Sequence, residues 1–392
     1  MTGSTRSRTI CGSWGSGIWP PARSSRISTR SSSRTSGCRA TRRDGEVSAA
    51  ERAGAGLAGY GRLPLPGLLL ALLGGLALAA AVVASISLGT VFIAPETIVA
   101  AFTSFDGSDQ QVIVLTVRLP RAMIAAAVGA TLGMAGAVMQ AVSRNPLAEP
   151  GILGISWGAA LAAVGAQVLL GVGSLTGLVW CALVGAAAAG AAVVMLGALG
   201  RRGLTPAKLV VAGAAVSALL AAVVQGLLVL DRESLEGARR WLAGSIVGTN
   251  ETLLLQVLPY QLAGILLALL LARPLTTFSL GEDVARGLGQ RTGFVKGGAA
   301  AAVVLLAGSA VAAAGPVILV GLAVPHLSRF LFGRDYRRVL PAAAVLGALL
   351  VVVADVAARF VIPPEEVPVG VMTALVGGPY FVHVVRRGMA PL

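Results

Sequence analysis

Ten apolar runs, each about long enough to cross some 30 Å of hydrocarbon, follow one another with only short polar breaks. They lie near 65–88, 120–142, 152–173, 175–199, 205–230, 253–272, 295–314, 317–333, 339–361 and 367–385. In a bilayer every backbone N–H and C=O must be bonded within the protein, so runs of this length become helices. The breaks read "SRNPLAEPG", "GVGSLTG", "RRGLTP", "DRESLEGARR", "RPLTTFSLGEDVARGLGQRTG", "AAGPV", "GRDYRR" and "IPPEEVP", where Pro, Gly and charge interrupt the apolar sequence. The expected class is therefore an all-α, polytopic membrane protein of ten transmembrane helices. With 56% hydrophobic and 12% charged residues, a water-soluble globular protein is excluded.

Lys and Arg are retained on the cytoplasmic side of membrane proteins. With the amino end inside, fourteen basic residues of the loops and span ends are cytoplasmic and six are external, the external ones being Arg118, Arg121, Arg232, Arg239, Arg240 and Arg359. That bias places the amino end and the stretch Leu280 to Arg291 in the cytoplasm. Residues 1–62 differ in kind from the span-bearing remainder, 63–392. They are rich in Ser, Arg, Thr and Gly, and 11 basic against 3 acidic residues supply +8 of the net +14. They hold no apolar run of a secretory signal. The Arg42–Arg43 pair is a weak twin-arginine signal. The segment reads as a disordered tail or as a start placed upstream of initiation near Val47, with contact to anionic lipid as the functional alternative.

The chemistry-bearing residues are few. Cys11 and Cys38 lie in the tail and Cys181 stands alone in a span, so neither disulfide framework nor metal site is suggested. His326 and His383 are the only histidines. Asp355 is the single acidic residue clearly inside a span; a coupling carboxylate is one reading, and an ion pair with Arg359, one helical turn on, is the favoured one. Neither Lys208 in "PAKL" nor Lys296 in "VKGG" completes a phosphate-binding loop, so any ATP must be bound by a partner. No nucleophile–base pair marks an enzyme.

Several long segments, "RLPRAMIAAAVGATLGMAGAVMQAVSRNPLAEPGILGISWGAALAAV", "WLAGS", "LGEDVARGLG", "GPVILVGLAVPHLSRFLFGRDYRRVLP" and "ADVAARFVIPPEEVPVGVMTALVGGPYFVHVVRR", resemble the permease subunits of iron-siderophore, haem and cobalamin ABC importers, the FecCD family of type II ABC importers. The resemblance runs from about Pro66 to Arg387 in family order. It implies a ten-span, inverted-repeat permease that binds no cofactor or metal itself and pairs with a second permease subunit. Cytoplasmic ABC ATPase subunits hold the ATP, an extracytoplasmic solute-binding protein delivers the chelate, and membrane lipid, not nucleic acid, surrounds the assembly in the bacterial cytoplasmic membrane. An ion-coupled secondary transporter is the alternative. The chain departs from the family at Ile318 and Leu319, where a Gly-Phe pair is usual, and at Gly378, where Ala is common.

The same resemblance implies three sites. Leu280, Gly281, Glu282, Asp283, Val284, Ala285, Arg286, Leu288 and Gly289 form an ATPase-coupling helix. At about 100° per residue, Leu280, Val284, Ala285 and Leu288 share one arc and Glu282, Asp283 and Arg286 the other. From the residues alone, a solvated loop is the competing reading. Asn145, Pro146 and Leu147 are expected at a cytoplasmic gate, against a plain helix–turn–helix corner. Arg118, Arg121 and Arg359 are expected to dock the binding protein, against interfacial anchoring or the Asp355–Arg359 pair.

Overall fold

A computed structural model describes residues 65–386 except 90, 152–153, 200–205, 231–234 and 363–364. The tail of residues 1–62, with its cysteines and paired arginines, lies outside the described residues.

Regular structure among the described residues is helical: α1 Leu65–Ser87, α2 Pro95–Thr103, α3 Asp109–Ser143, α4 Ile155–Leu170, α5 Leu175–Ala198, α6 Pro206–Leu230, α7 Leu235–Leu242, α8 Glu251–Leu270, α9 Ala272–Ser279, α10 Glu282–Gly287, α11 Thr292–Ala314, α12 Val320–Phe332, α13 Tyr336–Val361 and α14 Val369–Arg386. Seven of these (α1, α3, α5, α6, α8, α11 and α13) are long and apolar enough to cross a membrane. Shorter apolar helices occupy the other three expected positions, as α4, α12 and the first part of α14.

Two of the short ones have visible causes. The runs expected at 152–173 and 317–333 yield helices of 16 and 13 residues. Before α4 the chain turns through Pro150 and Gly154, the latter at φ 78. Before α12 it unwinds through Gly315 at φ 69, Pro316 and Leu319 at φ 69. Leu319 is a non-glycine residue in left-handed backbone, a strained state that its surroundings must hold. Its side chain packs on Gly377, where an added Cβ would come within 3.0 Å of it.

The run expected at 120–142 is lengthened instead: α3 begins at Asp109 and is 35 residues long. Pro120 lacks an N–H and its ring would press on the carbonyl four residues earlier, yet the helix continues. It does so by widening into a π-turn over Val114–Arg118, in which the Leu119 N–H bonds the Val114 carbonyl.

Most of α3, α11 and α13 is buried, whereas α1 and α6 expose apolar residues along most of their length. The centre is closed by backbone approach rather than by large side chains. A Cβ at Gly129 would collide with the Gly347 carbonyl of α13, one at Gly133 with the Ala343 carbonyl, and one at Gly136 with the Gly321 carbonyl of α12. Lipid is as apolar as Leu, so close van der Waals contact of this kind, not hydrophobic transfer, holds spanning helices together. Leu68, Leu69, Leu72, Leu73 and Leu76 on α1 are exposed, as suits a lipid-facing helix.

Candidate functional site

The hairpin between the spanning helices α8 and α11 is built from α9 and α10. Gly281, at φ 134, and Gly289, at φ 78, take backbone states that other residues rarely adopt, and they bound α10 on both sides. The Gln290 side-chain amide donates to the Pro274 carbonyl at 2.9 Å, which closes the hairpin on itself. Helical backbone spans only Glu282–Gly287, so Leu280 and Leu288 flank the helix rather than belong to it.

The expected apolar arc is divided. Ala285 is fully buried against the bundle, while Leu280 and Leu288 are each 70% exposed and Val284 is 48% exposed. A single face cannot do both, and the small residue is the one that fits inward. The charged arc is not idle either. Glu282 accepts hydrogen bonds from the Lys296 ammonium at 2.8 and 2.9 Å and pairs with Arg286 at 2.7 Å. The Lys296 ammonium holds the Glu282 carboxyl below the usual carboxylate range, with Arg286 adding to the effect. Lys296 also sits 5.7 Å from the Phe278 ring centroid of α9. One lysine thus ties α10 to the second turn of α11 and to α9, and Asp283 is left exposed.

The loop after α3 lies beside this hairpin. Arg144, left-handed at φ 48, ends α3, and its guanidinium lies 3.8 Å from where a Cβ on Gly281 would stand. Asn145 folds the next residues: its side-chain oxygen accepts the Leu147 N–H at 2.9 Å and its carbonyl the Ala148 N–H at 3.1 Å. Asn145, Pro146 and Leu147 are each half-buried. Glu149, which the sequence did not single out, is 4% exposed. Burial pushes its carboxyl up to about 7, opposed in part by the Leu319 N–H it accepts.

Arg118, Arg121 and Arg359 gather at the far end of α13, as expected, but not as a free basic patch. Arg118 Nη1 donates to the Ile86 and Ser87 carbonyls at 2.7 and 2.9 Å, and Nη2 to the Val91 carbonyl. Arg359 Nη1 donates to the carbonyls of Ser85 at 2.7 Å and Leu88 at 2.8 Å. The last turn of a helix leaves carbonyls without donors, and these two guanidiniums supply them for α1. Asp355 pairs with Arg359, and Arg121 joins it at 2.7 Å while also pairing with Glu366 at 2.7 Å. The three guanidiniums expected to dock a binding protein thus make their hydrogen bonds within the fold, to carbonyls at and beyond the end of α1 and to two carboxylates, while Arg359 Nε has no acceptor among the described residues. A buried charge requires such partners.

The match to a family model decides what this arrangement belongs to: residues 70–387 fit that of the FecCD transport family. The chain belongs to the FecCD transport family. It is a multi-pass membrane transport permease, not an enzyme. Among FecCD relatives, it is 48% identical over 308 residues to the probable siderophore transport system permease protein YfiZ of Bacillus subtilis, covering 79% of this chain and 92% of that one. It is 37% identical over 326 residues to the ferric enterobactin transport system permease protein FepD of Escherichia coli, covering 83% and 95%. A solved structure, an inward-facing conformation described as that of a metal-chelate type ABC transporter, superposes with a TM-score of 0.70 at 30% identity, over 81% of this chain and 99% of that one.

Proposed function

We propose that this FecCD permease carries an iron-siderophore or related bulky chelate such as haem or cobalamin inward, as the spanning subunit of an ABC importer. Cytoplasmic ATPase subunits supply the work at α10, a second permease subunit completes the pore, and an extracytoplasmic binding protein delivers the chelate. The amino end and the α9–α10 hairpin face the cytoplasm of a bacterial cell, in keeping with the excess of basic residues at that end. ATP is held by the partner, and this chain contributes no cofactor site. Asn145, Pro146 and Leu147 form the cytoplasmic gate.

The observation that carries the reading is the hairpin itself. Val284 on α10, with Leu280 and Leu288 flanking it, stays outside the fold, while the helix is fastened from within by Ala285 and Glu282. Exposed apolar side chains on a pinned polar helix suit a groove in a cytoplasmic partner. The runner-up, an ion-coupled carrier, would use a carboxylate within the membrane, and Asp355 is committed to Arg121 and Arg359. The test is co-purification with an ATPase subunit, followed by uptake of a ferric siderophore into proteoliposomes with and without ATP inside. Uptake that needs no ATPase subunit and collapses with an uncoupler at constant ATP overturns the reading.

A further inference from the structure

A chain of polar contacts leads from α9 to the loop at Asn145 through Tyr336, Arg329 and Gln140. It begins at Thr276 of α9, whose hydroxyl lies 3.2 Å from Asp335 Oδ1 and accepts the Tyr336 N–H at 3.0 Å. Asp335 caps α13 by accepting the Arg337 N–H. Tyr336 is 2% exposed, and its hydroxyl is beside the Arg329 guanidinium at the end of α12. Arg329 Nη2 donates to Gln140 Oε1 at 2.7 Å. The other amide group of Gln140 donates to the Gly321 and Leu322 carbonyls at 3.2 and 3.4 Å.

The last step has a local cause. Pro325 lies four residues after Gly321 and has no N–H to give it, so the Gly321 carbonyl is left without its helical donor. Gln140 supplies one. Gly321 is also where α12 meets the loop: a Cβ there would stand 3.2 Å from Pro150 Cδ and 3.3 Å from Glu149 Cγ. Glu149 in turn accepts the Leu319 N–H that precedes α12. The first turn of α12 is thereby held by Gln140 on one side and grips the Asn145–Pro150 loop on the other.

We propose that Gln140 and Arg329 are positioning residues that lock the Asn145–Pro150 loop, through the first turn of α12, to the α9–α13 contact next to the coupling hairpin. Displacement of the hairpin is passed to the loop along that chain. Gln140 is fully buried, and Arg329 Nη1 has no hydrogen-bond acceptor among the described residues. Removing either partner therefore leaves the other unpaired in a low-dielectric site, where an unmade bond is felt in full. α12 is suited to move as a unit. It is 13 residues long, its ladder is broken at Pro325, and it follows a strained residue.

The inference rests on the proposed importer function and on the loop being its gate. The test uses the whole importer in nanodiscs, with the permease spin-labelled at Leu147→Cys and Met195→Cys in a background lacking native cysteines. Label distances are read without nucleotide and after vanadate trapping with ATP, beside ATPase activity. In the parent, trapping shifts the distance. In Gln140→Leu and in Arg329→Met the shifted population falls about tenfold while ATP is still hydrolysed. The double variant is no worse than either single change, as expected of residues acting in one chain. Arg329→Lys keeps a donor and restores part of the shift; it also serves if Arg329→Met fails to assemble. A full parental shift in an assembled Gln140 or Arg329 variant overturns the proposal alone. Absence of any shift in the parent overturns the importer and gate reading, and this proposal with it.

Discussion

Glu149 is the residue whose charge the fold treats least kindly. It lies outside the spanning helices, and its carboxyl is pushed up to about 7 by burial, with one backbone N–H as its named compensation and no charged side chain contributing. The folded protein therefore binds a proton that the unfolded chain releases near pH 4.5. Stability is full below that range and falls as pH rises through it toward 7, by roughly 3 kcal/mol at about 1.4 kcal/mol per unit. Glu149→Gln cannot ionise, so it should unfold at a higher temperature than the parent at pH 8, with most of that difference gone at pH 5. Thermal scans in detergent at both values check this, and a parent whose midpoint does not fall between them contradicts it. Glu149 was missed in the sequence because it sits in a break marked by Pro and charge, where carboxylates are ordinarily solvated. Its burial depends on Gly321, 172 positions away, having no side chain. The partners of Arg118 were illegible for a related reason. In sequence it stands beside Arg121 at the start of a span, and only the tertiary fold brings the carbonyl end of α1 beneath it.

At the scale of elements, the spans were legible because hydrocarbon imposes one answer on each long apolar run. Their ends were not. Pro120 reads as a boundary in sequence, yet α3 absorbs it in a π-turn and runs on from Asp109. Pro316 and Pro325 stand nine residues apart, and only the first lies outside a helix, because Gln140 repairs the bond the second one removes. The short α10 was expected from the family resemblance, with its bounding glycines and its separate apolar and charged arcs in keeping; from the residues alone a solvated loop competed with it. That Ala285 turns inward while its arc-mates Leu280, Val284 and Leu288 stay exposed was not legible, since periodicity cannot say which part of a mixed arc the bundle will take. This division shapes a prediction about coupling. Leu288→Asp puts an unpaired charge where an apolar side chain would enter a groove, and burial of such a side chain contributes roughly 1.5–3 kcal/mol. It should reduce recovery of the ATPase subunit in pull-downs by ten- to a hundredfold, about what that range implies. Glu282→Lys should leave recovery closer to the parent but lower the uptake obtained per ATP, because it unpins α10 from Lys296. Restoring the pair in reverse, as Glu282→Lys with Lys296→Glu, should recover that yield. Equal recovery of the ATPase by Leu288→Asp and the parent removes α10 as the contact.

At the scale of the molecule, the two ends of the bundle are built differently. At the end with α9 and α10, apolar side chains are left outward and polar groups are chained inward from Thr276 to Gln140. At the other end, Arg118, Arg121 and Arg359 are folded in and bind the end of α1 to α3 and α13. A chain of this kind is expected to move at the first end and hold still at the second, since multiply bonded buried ion pairs resist separation whereas a strained, Pro-broken helix does not. The proposed membrane orientation rests on a bias of charge that is independent of these contacts, so the two can be tested together. Single cysteines replacing the exposed Leu288 and Phe360, in a background lacking native cysteines, should react with a membrane-impermeant maleimide from opposite sides. Leu288→Cys should label only in inverted vesicles and Phe360→Cys only in right-side-out ones. If Leu288→Cys labels from outside, the end bearing α10 faces away from ATP. The coupling role of the hairpin then falls, whatever the affinity of the isolated parts.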